Sequence, residues 1–354
     1  MKKAVYGLVM LLAGLLPVPL PAQVGGTHTY AFLDLPNSAR IASLGGKMAA
    51  ITDDDPDLVY FNPALLSAAM DQHIALNYIS YLADINYGYV SYSRSYASTG
   101  NFSVAMHYVN YGQFTAATET GLITGHFQAA EYALNLVYSR TIDSFFTVGI
   151  TLKPVYSSLE DYQSVGLATD LGASYHTADN LFTAALVIRN LGFQFRTYYQ
   201  SQQEALPLDI EIGLSQKLRH APFLFVFTAD QLQQPDLTYT LPDNLQKIDP
   251  VTGLPVKQNA LAVFSDKLMR HMLLGVEFFP IRGFTLRMGY NYQRRQELIV
   301  ESRSGMVGFS WGFGLKISKF SLNYGRATYH LGGATNHFSI STNLSDFYRK
   351  SNSR

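Results

Sequence analysis

Asp53, Asp54, Asp55 and Asp57 form the densest set of oxygen donors in the sequence, and the chemistry they could do is to hold a hard cation such as Ca²⁺. A calcium loop of the EF-hand kind counted from Asp53 needs Gly at its sixth position and Glu at its last, where Leu58 and Ala64 stand. The nine His residues are scattered. The closest pair in the C-terminal region, His330 and His337, is seven apart across a Gly-Gly turn, the spacing of a hairpin end rather than of a metal site. Gly213-Leu214-Ser215-Gln216 lacks the Gly that closes a nucleophile elbow. Gly45-Gly46-Lys47 lacks both the first Gly of a phosphate loop and the strand that should lead into it. No catalytic, cofactor-binding or metal-binding set emerges, and the expectation is a protein that is not an enzyme.

The same aspartates make better sense as backbone chemistry. Asp accepts N–H groups at a helix start, and Pro56 fits the first helical position after Asp55. They lie inside Asn37 to Ala69, the only stretch of the mature chain without long period-two alternation. Gly45-Gly46 permits a tight turn that residues with side chains resist. Asn62-Pro63-Ala64 opens a short run, Leu65 to Met70, that reads as one or two helical turns. A compact unit of this kind standing before a series of strands reads as a plug.

The ordered set Arg40, Leu44-Gly45-Gly46, Asp53-Asp54 and Asn62-Pro63-Ala64 resembles the N-terminal signature of the FadL-like outer-membrane barrels, and within them the PorV/PorQ family. The resemblance implies that Arg40, Gly45, Gly46, Asp53, Asp54, Asn62, Pro63 and Ala64 are structural residues of a plug, or hatch. It also implies an outer-membrane component of the type IX protein secretion system, as found in Bacteroidetes. The role would be to anchor a PorZ-like surface protein in an attachment complex with PorU and PorV. The alternative from the wider group is a channel for hydrophobic small molecules.

Taken in order, Lys2 and Lys3 precede the apolar run Ala4 to Leu16, then Pro17, Pro19, Pro21 and Ala22-Gln23. This is the layout of a signal peptide cleaved after Ala22, which assigns 1–22 to export and 23–71 to the plug. No later run is long and apolar enough for a transmembrane helix. Yet the chain is only 15% charged, against about 25% in average usage, and is 13% aromatic. Few charges with many Tyr and Phe fit a lipid-facing barrel with aromatic girdles, and the competing class is a secreted sandwich with a Tyr-rich face. Absence of Cys excludes a disulfide framework, and a net charge of zero gives no sign of nucleic acid.

From Gln72 onward the period is two. Phe102, Val104, Met106 and Tyr108 alternate with Asn101, Ser103 and His107; Tyr132, Leu134, Leu136 and Tyr138 alternate with Glu131, Asn135 and Ser139. Val307, Phe309, Trp311, Phe313, Leu315 and Ile317 alternate with Gly308, Ser310, Gly312, Gly314, Lys316 and Ser318. Asp209 and Glu211 are likewise placed inward. About fourteen strands result, near 72–81, 84–96, 101–111, 129–140, 146–158, 164–177, 181–190, 207–218, 223–232, 272–279, 284–292, 306–317, 320–329 and 336–344. Links after even-numbered strands are short, while Gly112–Gln128, Leu191–Leu206, Gln233–His271 and Gln293–Gly305 are long and all fall at one end. A sandwich has no reason to sort loops by parity; an outer-membrane barrel does.

The expected fold is therefore all-β: a transmembrane antiparallel β-barrel over 72–346 with an N-terminal helical plug, outer-membrane lipid around it, and a polar tail at 347–354. The long loops would be extracellular. Asn259 to Met272 is expected as a helix, with Leu261, Phe264 and Leu268 at helical spacing, and Leu191 to Tyr199 as an aromatic loop surface. Phe347 or Tyr348 would be the terminal aromatic.

Overall fold

The computed structural model describes residues 28–348 apart from 84, 200–201, 239–258, 299–304 and 331–332. The expected signal peptide, the first residues of the plug segment, the proline-rich part of the longest loop and the end of the tail lie outside the described residues.

Alternation of apolar and small or polar residues becomes a wall of fourteen strands. They are β1 (His73–Ser80), β2 (Asn86–Tyr96), β3 (Gly100–Ala117), β4 (Ile123–Thr141), β5 (Phe146–Leu159), β6 (Tyr162–His176) and β7 (Phe182–Arg196). They continue as β8 (Asp209–Lys217), β9 (Phe223–Ala229), β10 (Met272–Ile281), β11 (Phe284–Asn291), β12 (Phe309–Ile317), β13 (Phe320–His330) and β14 (Gly333–Asn343). Each strand is antiparallel to its sequence neighbours, and β1 pairs with β14 from His73↔Asn343 to Ser80↔Asn336, so the barrel closes. Closure leaves no unpaired edge, which is what allows strands to stand in lipid.

The two faces divide by parity. On β4, Tyr132 and Leu136 face out, while Glu131, Asn135 and Ser139 are buried in the lumen. On β12, Phe309, Trp311, Leu315 and Ile317 face out and Ser310 faces in. Aromatic pairs collect at both ends of the outer wall. Phe102 with Tyr138 (5.1 Å between ring centres) and Phe223 with Phe278 (4.8 Å) lie toward the short turns. Phe193 with Phe195 (4.7 Å) and Tyr290 with Phe309 (4.8 Å) lie toward the long loops. Such paired girdles mark the two interfaces of a membrane barrel.

Inside the wall, the plug is a chain of short turns: a 3₁₀ turn at Ala31–Asp34, helix α1 (Ala39–Ser43), and 3₁₀ turns at Pro56–Tyr60, Pro63–Leu65 and Ala68–Met70. Its own apolar residues Ile41, Leu44, Met48, Ile51, Leu58, Phe61 and Leu65 form a buried core that meets Tyr89, Ala105 and Val226 of the wall. A second cluster joins Phe32 and Leu33 to Ile79, Tyr87, Val109 and Val155. The helix expected across Leu65 to Met70 is thus two separate 3₁₀ turns.

Three further expectations need correction. Gly112–Gln128 is mostly strand: β3 and β4 run on past a bulge between Asn110 and Gln113, and only five residues, 118–122, connect them. Its Thr, Ala and Gly content reads as loop, but Phe114 stacks on Phe127 at 5.1 Å and stabilises the ribbon. Leu191 to Arg196 is also strand rather than loop, because β7 absorbs a bulge at Asn190 (φ 56°) and resumes pairing with β6. Val307 is buried instead of facing lipid, since Gly308 (φ 85°) turns the chain before β12 begins. Lys316 does take the inward parity, but at the open short-turn rim it is exposed.

At the C-terminus β14 stops at Asn343, and a short helix, Ser345–Tyr348, follows. Phe347 packs on Phe320 (5.8 Å) beneath the Lys319 ammonium (4.6 Å), so it belongs to the barrel rim rather than to a free tail.

Candidate functional site: the plugged lumen

Each element of the motif does local work first. Asp55 caps the turn at Pro56, its side chain accepting from the Asp57 N–H at 3.1 Å. Asn62 caps the next turn by accepting from the Ala64 N–H at 2.9 Å, and its amide donates to the Ala49 carbonyl at 2.7 Å. Gly45 and Gly46 both have left-handed φ values, 112° and 108°, where a side chain would strain the backbone. The turn they make brings the plug backbone against β11.

The wall is cut away to receive that backbone. A Cβ on Gly149 would sit 2.4 Å from the Pro63 carbonyl carbon, and one on Gly172 would sit 2.2 Å from Asn62 Oδ1. One on Gly289 would lie 2.3 Å from the Gly45 nitrogen, and one on Gly325 2.2 Å from the Ala39 oxygen. Glycines of β5, β11 and β13 therefore meet the plug backbone, and the glycine of β6 meets the Asn62 side chain, with no room for a methyl group.

Charge then ties the two parts together. Arg40 of α1 forms a two-pronged pair with Glu277 of β10, Nε and Nη2 each donating at 2.8 Å. The same guanidinium holds Asp53 at 2.7 Å and Asp55 at 3.1 Å. Arg287 of β11 adds a bond to Glu277 at 2.6 Å and another to Asn323 of β13 at 2.8 Å. Asp53 and Asp55, which looked like cation ligands, have a protein cation as their partner. Asp57 accepts from the Asn77 amide at 2.7 Å, and Asp54 is exposed at the rim.

Three more buried ion pairs stand deeper. Lys153 of β5 meets Asp170 of β6 at 2.5 Å. Arg189 of β7 meets Glu211 of β8 at 3.0 Å, donates to the Leu33 carbonyl of the plug at 2.9 Å and lies 4.2 Å over the Phe61 ring. Lys47 of the plug is held between Asp209 and Asp230. Desolvated charges of this kind persist only when paired, and Lys153, Asp170, Arg189 and Asp209 each gain a further hydrogen bond besides the ion pair.

Sequence reasoning picked out Arg40, Gly45, Gly46, Asp53, Asp54, Asn62, Pro63 and Ala64, and the structure places all of them in the plug. Asp209 and Glu211 were placed inward, and they face the lumen. It missed Lys47, Lys153, Asp170, Arg189, Glu277 and Arg287. The signal that could have found the five strand residues among these was a charge in the middle of an apolar strand, which must point away from lipid.

Toward the short turns the lumen opens into a polar cavity of about 450 Å³, bordered by Asp53, Asp54, His73, Arg287, Lys319 and Asn343. Both signs of charge line it, which suits water and not an apolar guest. At the opposite end stand two helices, α2 (Ala260–Arg270) and α3 (Tyr292–Leu298). Arg294 of α3 lies 4.0 Å over the Tyr329 ring and donates to the Gly45 carbonyl at 3.4 Å, so α3 rests on the plug. Beside α2, hydrogen bonds from Lys267 and then Thr238 hold the Asp236 carboxyl down to about 2, so this anchor stays ionised across the physiological range.

No family model matches the sequence, and no curated protein does. Among solved structures, the toluene transporter TodX of P. putida aligns with a TM-score of 0.50 at 13% identity, over 88% of this chain and 99% of that one. A FadL homologue of Pseudomonas aeruginosa aligns at 0.48 with 10% identity, over 87% of this chain and 98% of that one. The fold is that of a FadL-like outer-membrane barrel. At these identities the likeness concerns the fold and not the cargo.

Proposed function

We propose that this chain is a plugged, non-transporting outer-membrane barrel that anchors a surface partner for a protein secretion machine. The observation that carries this reading is the lumen itself. A plug joined to the wall by Arg40–Glu277 and Arg189–Leu33, with glycines at backbone contact, leaves the barrel as a rigid holder. With transport set aside, the elements free to act are the long loops, taken as extracellular. The resemblance of the plug motif to the PorV/PorQ family supports a PorZ-like partner, with PorU and PorV nearby in a type IX attachment complex.

A second reading is favoured by the likeness to the toluene transporter TodX: a channel for hydrophobic small molecules. The comparisons lean toward this second reading, whereas the ion-paired lumen leans toward the first. One experiment separates them. Replacing 233–271 by a Gly-Ser linker leaves the closed strand ladder intact, and anchoring predicts loss of the partner from the cell surface with unchanged uptake of a hydrophobic solute. Unchanged surface retention with impaired uptake establishes the channel instead.

A further inference from the structure

Helix α2 is inside out. A helix at a protein surface normally buries its apolar stripe and shows its charges to water. Here Leu261, Phe264 and Leu268 share one face and are 70%, 64% and 48% exposed. The opposite face carries Asp266 and Arg270, which turn toward the protein: Arg270 Nε donates to Asp266 at 2.8 Å, and the Tyr292 hydroxyl of α3 donates to the same carboxylate at 2.9 Å. Lys267, on the flank, is tied to Asp236 at 2.7 Å. The polar face thus fixes the helix to α3, which itself sits on the plug, and the apolar face is directed away from the lumen.

Two observations say what meets that face. First, α2 joins β10 with only His271 between them, and His271 is fixed by backbone bonds to Leu268 and Asp230. The outward face of β10 begins at once with Leu274, whose partner across the ladder is Tyr290 of β11. The apolar face of the helix is therefore continuous in the chain with the lipid-facing wall. Second, the helix is bonded to the aromatic girdle. Tyr292, its partner, lies 6.5 Å from Tyr290, which in turn packs on Phe309 at 4.8 Å. Such residues mark the depth of the headgroups, where an amphipathic helix lies flat with its apolar side in the acyl boundary.

We propose that α2 is a membrane-interface helix, with Leu261, Phe264 and Leu268 seated in the lipid leaflet at the long-loop end of the barrel. The helix then acts as an outrigger that fixes the base of the longest loop to the membrane plane.

The sequence contains no Cys, so single labels can be placed cleanly. Phe264→Cys, Leu268→Cys and, for comparison, Thr120→Cys at the β3–β4 tip are labelled with an environment-sensitive fluorophore. The full-length barrel is reconstituted in phosphatidylcholine–phosphatidylglycerol nanodiscs, and its folding is checked by heat-modifiability. The expected result is a blue-shifted emission at 264 and 268, several-fold stronger quenching by brominated lipid than at 120, and protection from iodide. Iodide access without lipid quenching at both helix positions overturns the proposal. Access in pure lipid that is lost in native outer membrane overturns it as well, and assigns the face to a protein partner.

Discussion

Glu277 faces two guanidiniums, those of Arg40 and Arg287, in a part of the lumen where it is completely buried. Removing it leaves two cations with only Asp53, Asp55 and Asn323 to answer them. Breaking a buried pair in this way costs about 3–5 kcal/mol. Glu277→Ala is expected to lower the unfolding midpoint of the reconstituted barrel in urea strongly, and Glu277→Gln, which keeps hydrogen-bond acceptance, less so. Equal midpoints for Glu277→Ala and the parent chain contradict the clamp. The glycines give a paired test: Gly325→Val drives a side chain into the Ala39 carbonyl, while Gly125→Val has nothing within 4 Å. Plug docking, followed by protease resistance of 28–71, is expected to fail in the first and persist in the second. These residues were half legible beforehand. Asn62, Asp55 and Gly45 carry their conformational preferences in their own chemistry, so the motif reads locally. Glu277, Lys153 and Arg189 acquire meaning only when the ladder brings partners across the lumen, and no local rule pairs them.

At the scale of elements, parity was the readable quantity. All fourteen strands lie where period-two alternation puts them, because a lipid-facing residue and a lumen-facing residue obey opposite solvation rules at every second position. Ends were harder to read. The β3–β4 ribbon rises beyond the wall on polar, Thr-rich sequence, and what keeps it in register is a stacked Phe114–Phe127 pair rather than membrane burial. A single Cys at Thr120 is expected to react with an impermeant thiol reagent added to whole cells. A Cys at Ser98, in the turn between β2 and β3, is expected to be silent until the membrane is opened. The reverse pattern would invert the orientation given to the loops.

For the whole molecule, the consequence of a bonded plug is electrical silence. In planar bilayers the parent protein is expected to show no steady conductance. Deleting 28–71 is expected to give either an open pore or no folded barrel. Frequent large openings of the parent chain, or leakage of small solutes from liposomes at the rate of an open porin, would remove the argument for a rigid holder. The fold class was accessible from sequence because a closed barrel is the only all-β solution that hides every edge in lipid. The partner was not, since the loop that would meet it is specified by nothing in the ladder.

The glycine-lined wall also dictates an order of events. A plug that reaches glycines of β5, β6, β11 and β13 at distances too short for a methyl group, by its backbone at β5, β11 and β13 and by the Asn62 side chain at β6, is expected to dock before the cylinder is finished. Its residues precede β1, and the seam that closes the barrel is the pairing of β1 with β14, the two ends of the strand series. The plug is expected to be surrounded already when that seam zips. It thus behaves as a mandrel around which the sheet is wound, and the time the chain spends unsealed is set by how quickly Ala39, Gly45 and Pro63 find their glycines.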